Sequence, residues 1–462
     1  MDPAKEQDWS ARAAALKAAG DLPGAAQAYA AAVRMRPQSA VAEHNLAATL
    51  GDLGDHAGAI AATQRAIHKG GNAPETWLVR ARSLQAMGDT AAAEHAYEEA
   101  IRRRPDYAVA HRDLAQLRWM LSASPAEAMR SLDGAPDTRE LALVRATVLG
   151  GIGDHAAARR VVAQALQRAP GDLALQLTAA AQAGRAGDAA AQLAHATAAL
   201  KIAPASVEAA RAAVEALLHA GRIGEAVGLA ERVVAAAPDD QAALALLATA
   251  WRLSGDTRHT LLCEDKALIS HDLIPVPAGW SDRDAFLHEL AGALRELHGW
   301  RSHPLGQSLR HGSQTQVDLT KVQVPVIQAL FATLPVLIDA HVAGLARGDD
   351  PVRRRIGVGW RIAGAWSVQL QPGGFHTDHV HPEGWLSSAF YVSLPKVVAR
   401  EPEGWLAFGR PGIATTPPLE PFRRLRPEPG MLALFPSYLW HGTEPFSGEE
   451  PRLTVAFDIV PG

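Results

Sequence analysis

The chain has 462 residues, a length that suggests roughly three units at about 150 residues each. Hydrophobic residues make up 48% and charged residues 20%, which excludes a disordered chain, and a formal charge of −4 argues against a nucleic-acid-coating surface. The single cysteine, Cys263, excludes an internal disulfide framework and a Cys-cluster zinc site. No run of about 20 consecutive apolar residues occurs, and Met1 to Asp8 is charged rather than apolar. The expectation is a cytoplasmic protein without membrane contact.

Up to about residue 260 the chain is rich in Ala, Leu and Arg, and it repeats. Gly-Asp or a near relative recurs at Gly20, Gly54, Gly88, Gly153, Gly187, Gly221 and Gly255, in steps of 34, 34, 65, 34, 34 and 34. The step of 65 is two repeats, one of them three residues short around Ser122 to Pro125. Pro37, Pro105, Pro170, Pro204 and Pro238 each follow a glycine position by 17 residues. Between these markers, small residues and one aromatic recur at helical spacing, as in Ala25-Ala26, Tyr29 and Ala32. Gly permits a tight turn between antiparallel helices, Ala lets them approach, and Pro ends the second. This order resembles the tetratricopeptide repeat family over about residues 9–272, in seven or eight units. That resemblance implies a stacked all-α solenoid with a groove that docks a protein or peptide, and no chemistry of its own.

Residues 273–350 read as a bridge. Ile274-Pro275-Val276-Pro277 breaks the helical pattern, and Ser281 to Asp284 reads as a capping box opening a helix through Leu297. A polar, turn-rich stretch follows from His303 to Thr315, then a helical pattern from about Val322 to Leu345, interrupted by Pro325 and Pro335.

Beyond about residue 350 the composition turns to Val, Trp, Phe, Gly and Pro in short alternating runs. Strands are expected over Ala365–Leu370, then, after the turn Pro372-Gly373-Gly374, over Phe375 to Pro382, and over Leu386–Leu394. Further strands are expected at Trp405–Phe408, Phe422–Arg426, Met431–Phe435 and Arg452–Asp458. About eight short strands with Gly/Pro turns point to a sandwich or jelly roll.

Three histidines and an aspartate fall within six residues, His376 to His381. Residues two apart on a strand share a face. Either His376 with Asp378 or His379 with His381 therefore offers two convergent ligands, and His441 arrives from a later strand to close the site. Two histidines and a carboxylate with open positions are the pattern of non-haem Fe(II) oxygenases.

The segments Gly373 to Pro395 and Gly430 to Arg452 resemble the 2-oxoglutarate/Fe(II)-dependent oxygenases and, more loosely, the aspartyl/asparaginyl β-hydroxylases. The matching pieces are Pro372-Gly373, His379-Val380-His381-Pro382, Trp385 to Ser388, Phe390-Tyr391-Val392, Leu434 to Ser437, His441 and Arg452, with Gln307 to Arg310 and Gln314-Thr315 upstream. The resemblance spans about residues 300–462. It implies a double-stranded β-helix, or jelly roll, with flanking helices, and Fe(II) and 2-oxoglutarate as cofactors. In the family's register His379 is the first iron ligand and His381 stands where Asp is usual; the β-hydroxylase relatives also lack a carboxylate there. His376 and Asp378 remain the alternate pair. Arg452, whose planar fork matches a carboxylate, takes the position that pairs with the distal carboxylate of 2-oxoglutarate, helped by Thr454. Tyr391 and Ser387 are expected to line the pocket, and Trp366 to be core.

The combined expectation is an α+β chain in two parts. Residues 1–272 form a tetratricopeptide solenoid and residues 273–462 an oxygenase-like jelly roll. Together they hydroxylate a protein or peptide docked by the repeats, with oxidative decarboxylation of the keto acid to succinate and CO2. Two rival readings are a cupin-type metal-binding jelly roll and a catalytically inactive repeat scaffold. The cupin reading lacks a Glu four or five residues after the second histidine, since Glu383 comes too soon.

Overall fold

The computed structural model describes residues 8–462; the charged start Met1–Gln7 lies outside the described residues. The chain divides into two compact units, Met1–Val148 and Leu149–Gly462. The first consists of paired antiparallel helices, beginning with Trp9–Ala18 and Leu22–Met35. Its last pair is truncated: Ala108–Ser122 is followed by the five-residue helix Pro125–Met129, where the sequence runs three residues short. The second unit continues the pattern through Leu173–Arg185 with Ala189–Ile202 and Val207–His219 with Ile223–Ala236, then ends it on the unpaired Gln241–Ser254.

Each half of the Gly-Asp marker has its own task. The glycines sit at positive φ, from +70° to +93°, a region that costs residues with a Cβ. The aspartates cap the second helix of the pair. Asp21, Asp55, Asp89, Asp154 and Asp188 each accept from the backbone N–H three residues on, at 2.8–3.1 Å. Such a cap is worth about 1 kcal/mol. Gly221 is followed by Arg222, and there the helix starts without a side-chain cap.

The C-terminal part of the second unit is a curled antiparallel sheet of nine strands: β1 (Ser270–Leu273), β2 (Leu309–Gln314), β3 (Trp360–His379), β4 (Leu386–Ser393), β5 (Leu406–Phe408), β6 (Arg423–Leu425), β7 (Met431–Pro436), β8 (His441–Thr443) and β9 (Arg452–Pro461). The order is β1-β7-β4-β9-β3-β8-β5-β6, with β2 added to β3, a jelly-roll-like arrangement. β3 is one 20-residue strand where the sequence suggested two with a turn between them: Gly373, at φ +78°, kinks the strand without ending it. β2 falls in the stretch read as turn-rich, and β1 and β8 add further pairing.

Two helices close one side of the sheet. Arg283–Glu296 is capped by Asp282, which accepts from Ala285 N at 2.8 Å; Ser281 instead donates to the Asp282 carboxylate, so the expected capping box is shifted by one residue. Pro325–Gly344 starts on Pro325 and runs through Pro335. By length and composition this helix is apolar enough to cross a membrane, although polar Gln328, Thr333, Asp339 and His341 interrupt it. Here Ile327, Leu330, Leu334 and Ile338 are buried in one core with Phe286, Leu290, Phe390, Leu432, Phe457 and Ile459. Burial of each such side chain contributes about 1.5–3 kcal/mol.

Within the second unit the repeats grip the sheet domain. Thr416 donates its N–H to Leu218 O at 3.0 Å and its hydroxyl to His219 O at 2.6 Å. Arg252 donates to the carbonyls of Gly409 and Glu420, and Trp440 Nε1 to Thr249 Oγ1 at 3.0 Å. Arg252, Thr249, Leu218 and His219 all lie on the first helices of their repeats. Trp440 immediately precedes His441, so this contact also fixes the start of β8.

Candidate metal and anion site

A cavity of about 320 Å³ opens inside the curled sheet. Three imidazoles meet on its wall. His379 ends β3, His381 follows it, and His441 opens β8, with one ligand nitrogen from each lying within 4.8 Å of the others. His379 pairs directly with His441 across the β3–β8 ladder.

The second nitrogen of each ring is already engaged. His379 Nδ1 lies 2.9 Å from Thr377 O, His441 Nδ1 2.9 Å from Leu439 O, and His381 Nδ1 2.7 Å from Asp458 Oδ1. A carbonyl oxygen can only accept, so Nδ1 carries the proton in His379 and His441. Their lone pairs are then on Nε2, and His379 Nε2 lies 3.2 Å from His381 Nε2 and 3.3 Å from Ser308 Oγ. Partners of this kind fix the tautomer and orientation of metal-binding histidines. Burial pulls the His379 pKa down to about 3 and that of His441 well below the usual value, each helped by neighbouring imidazoles. Both rings are therefore neutral at physiological pH, the form that ligates a metal.

The alternate pair is split. Between the β3–β8 partners His376–Thr443 and His379–His441 the register shifts, three residues on β3 opposing two on β8. This bulge turns His376 to the same side as His379, its ring stacked at 5.9 Å and 24°. Asp378 faces away, into an ion-pair cluster: its Oδ2 accepts from Arg410 Nε at 2.6 Å, and Glu444 holds Arg410 and Arg424. Gly442 makes room for it, since a Cβ there would lie 2.7 Å from Asp378 Oδ1.

Further along the cavity lies Arg452, only 2% exposed. Its Nη1 donates to Thr443 Oγ1 at 3.3 Å, its guanidinium lies 5.1 Å from the Tyr391 ring centroid, and its Nε has no partner. No carboxylate pairs with it among the described residues. Burial lowers its pKa, yet an arginine remains charged. Thr454 lines the cavity beside it. The structure does not bring Tyr391 and Ser387 to the cavity wall: Tyr391 lies beneath Arg452, and Ser387 donates to Asp458 at 3.1 Å from behind. Trp366, expected in the core, lines the cavity and stacks on His381 at 6.0 Å and 16°.

Sequence reasoning missed Asp458, and it gave no role to Ser308 although the family-like stretch Gln307 to Arg310 contains it. Asp458 had a signal, because Arg452, Thr454, Ala456 and Asp458 follow the period of two along β9 and all line the cavity. Ser308 sits just before β2, which a polar, glycine-containing segment concealed.

The cavity thus combines a three-histidine cluster that could hold a metal ion with a buried guanidinium that has no carboxylate partner among the described residues. Residues 364–458 match the family described as "Putative 2OG-Fe(II) oxygenase". Residues 74–117 match the tetratricopeptide repeat family. No curated protein matches the chain. Among solved structures, a tetratricopeptide repeat protein from Parabacteroides merdae is 16% identical, with a TM-score of 0.37, covering 53% of this chain and 98% of its own. A thermophilic TPR protein from Thermus thermophilus is 20% identical, with a TM-score of 0.28 and coverages of 46% and 100%. YrrB, a TPR protein with an unusual peptide-binding site, is 18% identical, with a TM-score of 0.27 and coverages of 40% and 96%. The chain thus joins tetratricopeptide repeats to a C-terminal domain similar to that oxygenase family, with a histidine cluster able to hold a metal.

Proposed function

We propose that this protein is an Fe(II)- and 2-oxoglutarate-dependent dioxygenase of the hydroxylase type. The observation that carries the reading is the pairing, in one cavity, of three oriented imidazoles with a buried guanidinium that has no carboxylate of its own. His379, His381 and His441 would hold Fe(II), with Asp458 orienting His381. When bound, the iron and keto acid supply oxygen activation and oxidative decarboxylation to succinate and CO2.

The chain's own residues do the rest. Arg452 offers its unpaired Nε edge to the distal carboxylate of the keto acid, and Thr454 adds a hydroxyl beside it. Trp366 stacks on the His381 ring. The Thr443 hydroxyl, two residues from His441 on β8, accepts from the guanidinium and ties it to the strand that carries a histidine of the cluster. Both the cupin-type and the inactive-scaffold readings leave the unpaired Arg452 unexplained.

The substrate in this reading is a protein or peptide docked by the repeats, a use common to this repeat class. The test is succinate release. Anaerobic protein loaded with Fe(II) and 2-oxoglutarate should form succinate on exposure to O2, faster when a true substrate peptide is present. Absence of both keto-acid binding and succinate formation would reject the assignment.

A further inference from the structure

We propose that His376, steered by Ser308, is a hydrogen-bond donor to the keto acid between the metal end and Arg452; this rests on the oxygenase reading above. The β3 bulge brings His376 into the cavity, one ladder rung from the His379–His441 pair and opposite Thr443, the residue that holds Arg452. Its Nδ1 lies 3.0 Å from Ser308 Oγ, and the same hydroxyl lies 3.3 Å from His379 Nε2. Ser308 is itself fixed, its carbonyl accepting from Thr377 N at 2.9 Å and Thr377 Oγ1 at 3.1 Å. His376 Nε2 has no protein partner among the described residues, although the ring lines the cavity.

A hydroxyl has one proton and here two candidate acceptors. Once His379 Nε2 gives its lone pair to a cation, that nitrogen can no longer accept from Ser308. With the Ser308 hydroxyl donating to His376 Nδ1 at 3.0 Å, the imidazole proton sits on Nε2, directed into the cavity. Together with the orphan Nε of Arg452, the cavity offers two separate donors to one dicarboxylate.

The experiment uses the full chain, loaded anaerobically with Fe(II) and titrated with 2-oxoglutarate while iron content is measured. His376→Leu should retain one iron per chain and bind the keto acid about tenfold more weakly. His376→Gln, whose side-chain amide nitrogen reaches a similar place, should stay within about threefold of wild type, and Ser308→Ala should fall between them. Wild-type affinity in an iron-loaded His376→Leu protein would overturn the donor role. Loss of iron in both His376 variants would overturn it in another way, making the residue a metal ligand. Failure of the iron-loaded wild type to bind any keto acid would reject the oxygenase reading itself, and this role with it.

Discussion

At one end of the cavity, three imidazoles have their Nδ1 atoms occupied by protein partners and their other nitrogens gathered. At the other, Arg452 is buried with its charge intact, one hydroxyl and one aromatic face for company, and an orphan Nε. The first end is nearly complete as it stands, because each ring already has a protein partner. The second is costly, since an unpaired buried charge opposes folding by several kcal/mol. A fold keeps such a cost where a ligand removes it. The difference teaches that the two ends have separable roles, one for a cation and one for an anion, and variants should separate them.

The largest expected effect is at the imidazole end. His379→Ala or His441→Ala should abolish stoichiometric Fe(II) binding, as measured by metal content after anaerobic loading. An unchanged content in a folded variant would remove the metal site from this cavity. Asp458→Asn acts one layer back. It keeps an acceptor for His381 Nδ1 but loses the negative charge, and should weaken Fe(II) binding by about tenfold. Equal affinity in an iron titration would mean that Asp458 only packs. Asp378→Asn should have the smallest effect on the metal, within about twofold, with a modest fall in melting temperature from the weakened Arg410 pair. Iron loss in that variant would return the carboxylate to the ligand set.

Much of this was legible from the residues, for reasons that differ between regions. The repeats announce themselves because Gly at positive φ and an N-capping Asp recur at fixed spacing, and each requirement is local. The bounds of strands β4, β7 and β9 also lie close to those expected, although β7 is buried on both faces rather than alternating. The failures are non-local. β2 pairs with β3 through a polar stretch containing Gly312, so nothing in its own composition marks it as a strand. The rule that residues two apart share a face offered His376 with Asp378 as the alternate pair, and the bulge before His379 separates the two. Tyr391 and Ser387 carry the right chemistry, yet they support Arg452 and Asp458 from behind rather than lining the cavity. Trp366 shows the converse, a large aromatic assigned to the core that stacks on His381 instead.

The most direct test of the two-ended cavity is a 2-oxoglutarate titration of Fe(II)-loaded wild type, Arg452→Ala and Arg452→Lys, with iron counted in each. Iron should remain at one per chain throughout, because the guanidinium ligates no metal. Loss of a charge-assisted bond worth about 1.5–3 kcal/mol should raise the 2-oxoglutarate Kd of Arg452→Ala by about ten- to a hundredfold. Arg452→Lys should recover only part of that affinity, since it keeps the charge without the fork. Wild-type affinity in an iron-loaded Arg452→Ala protein would contradict the account.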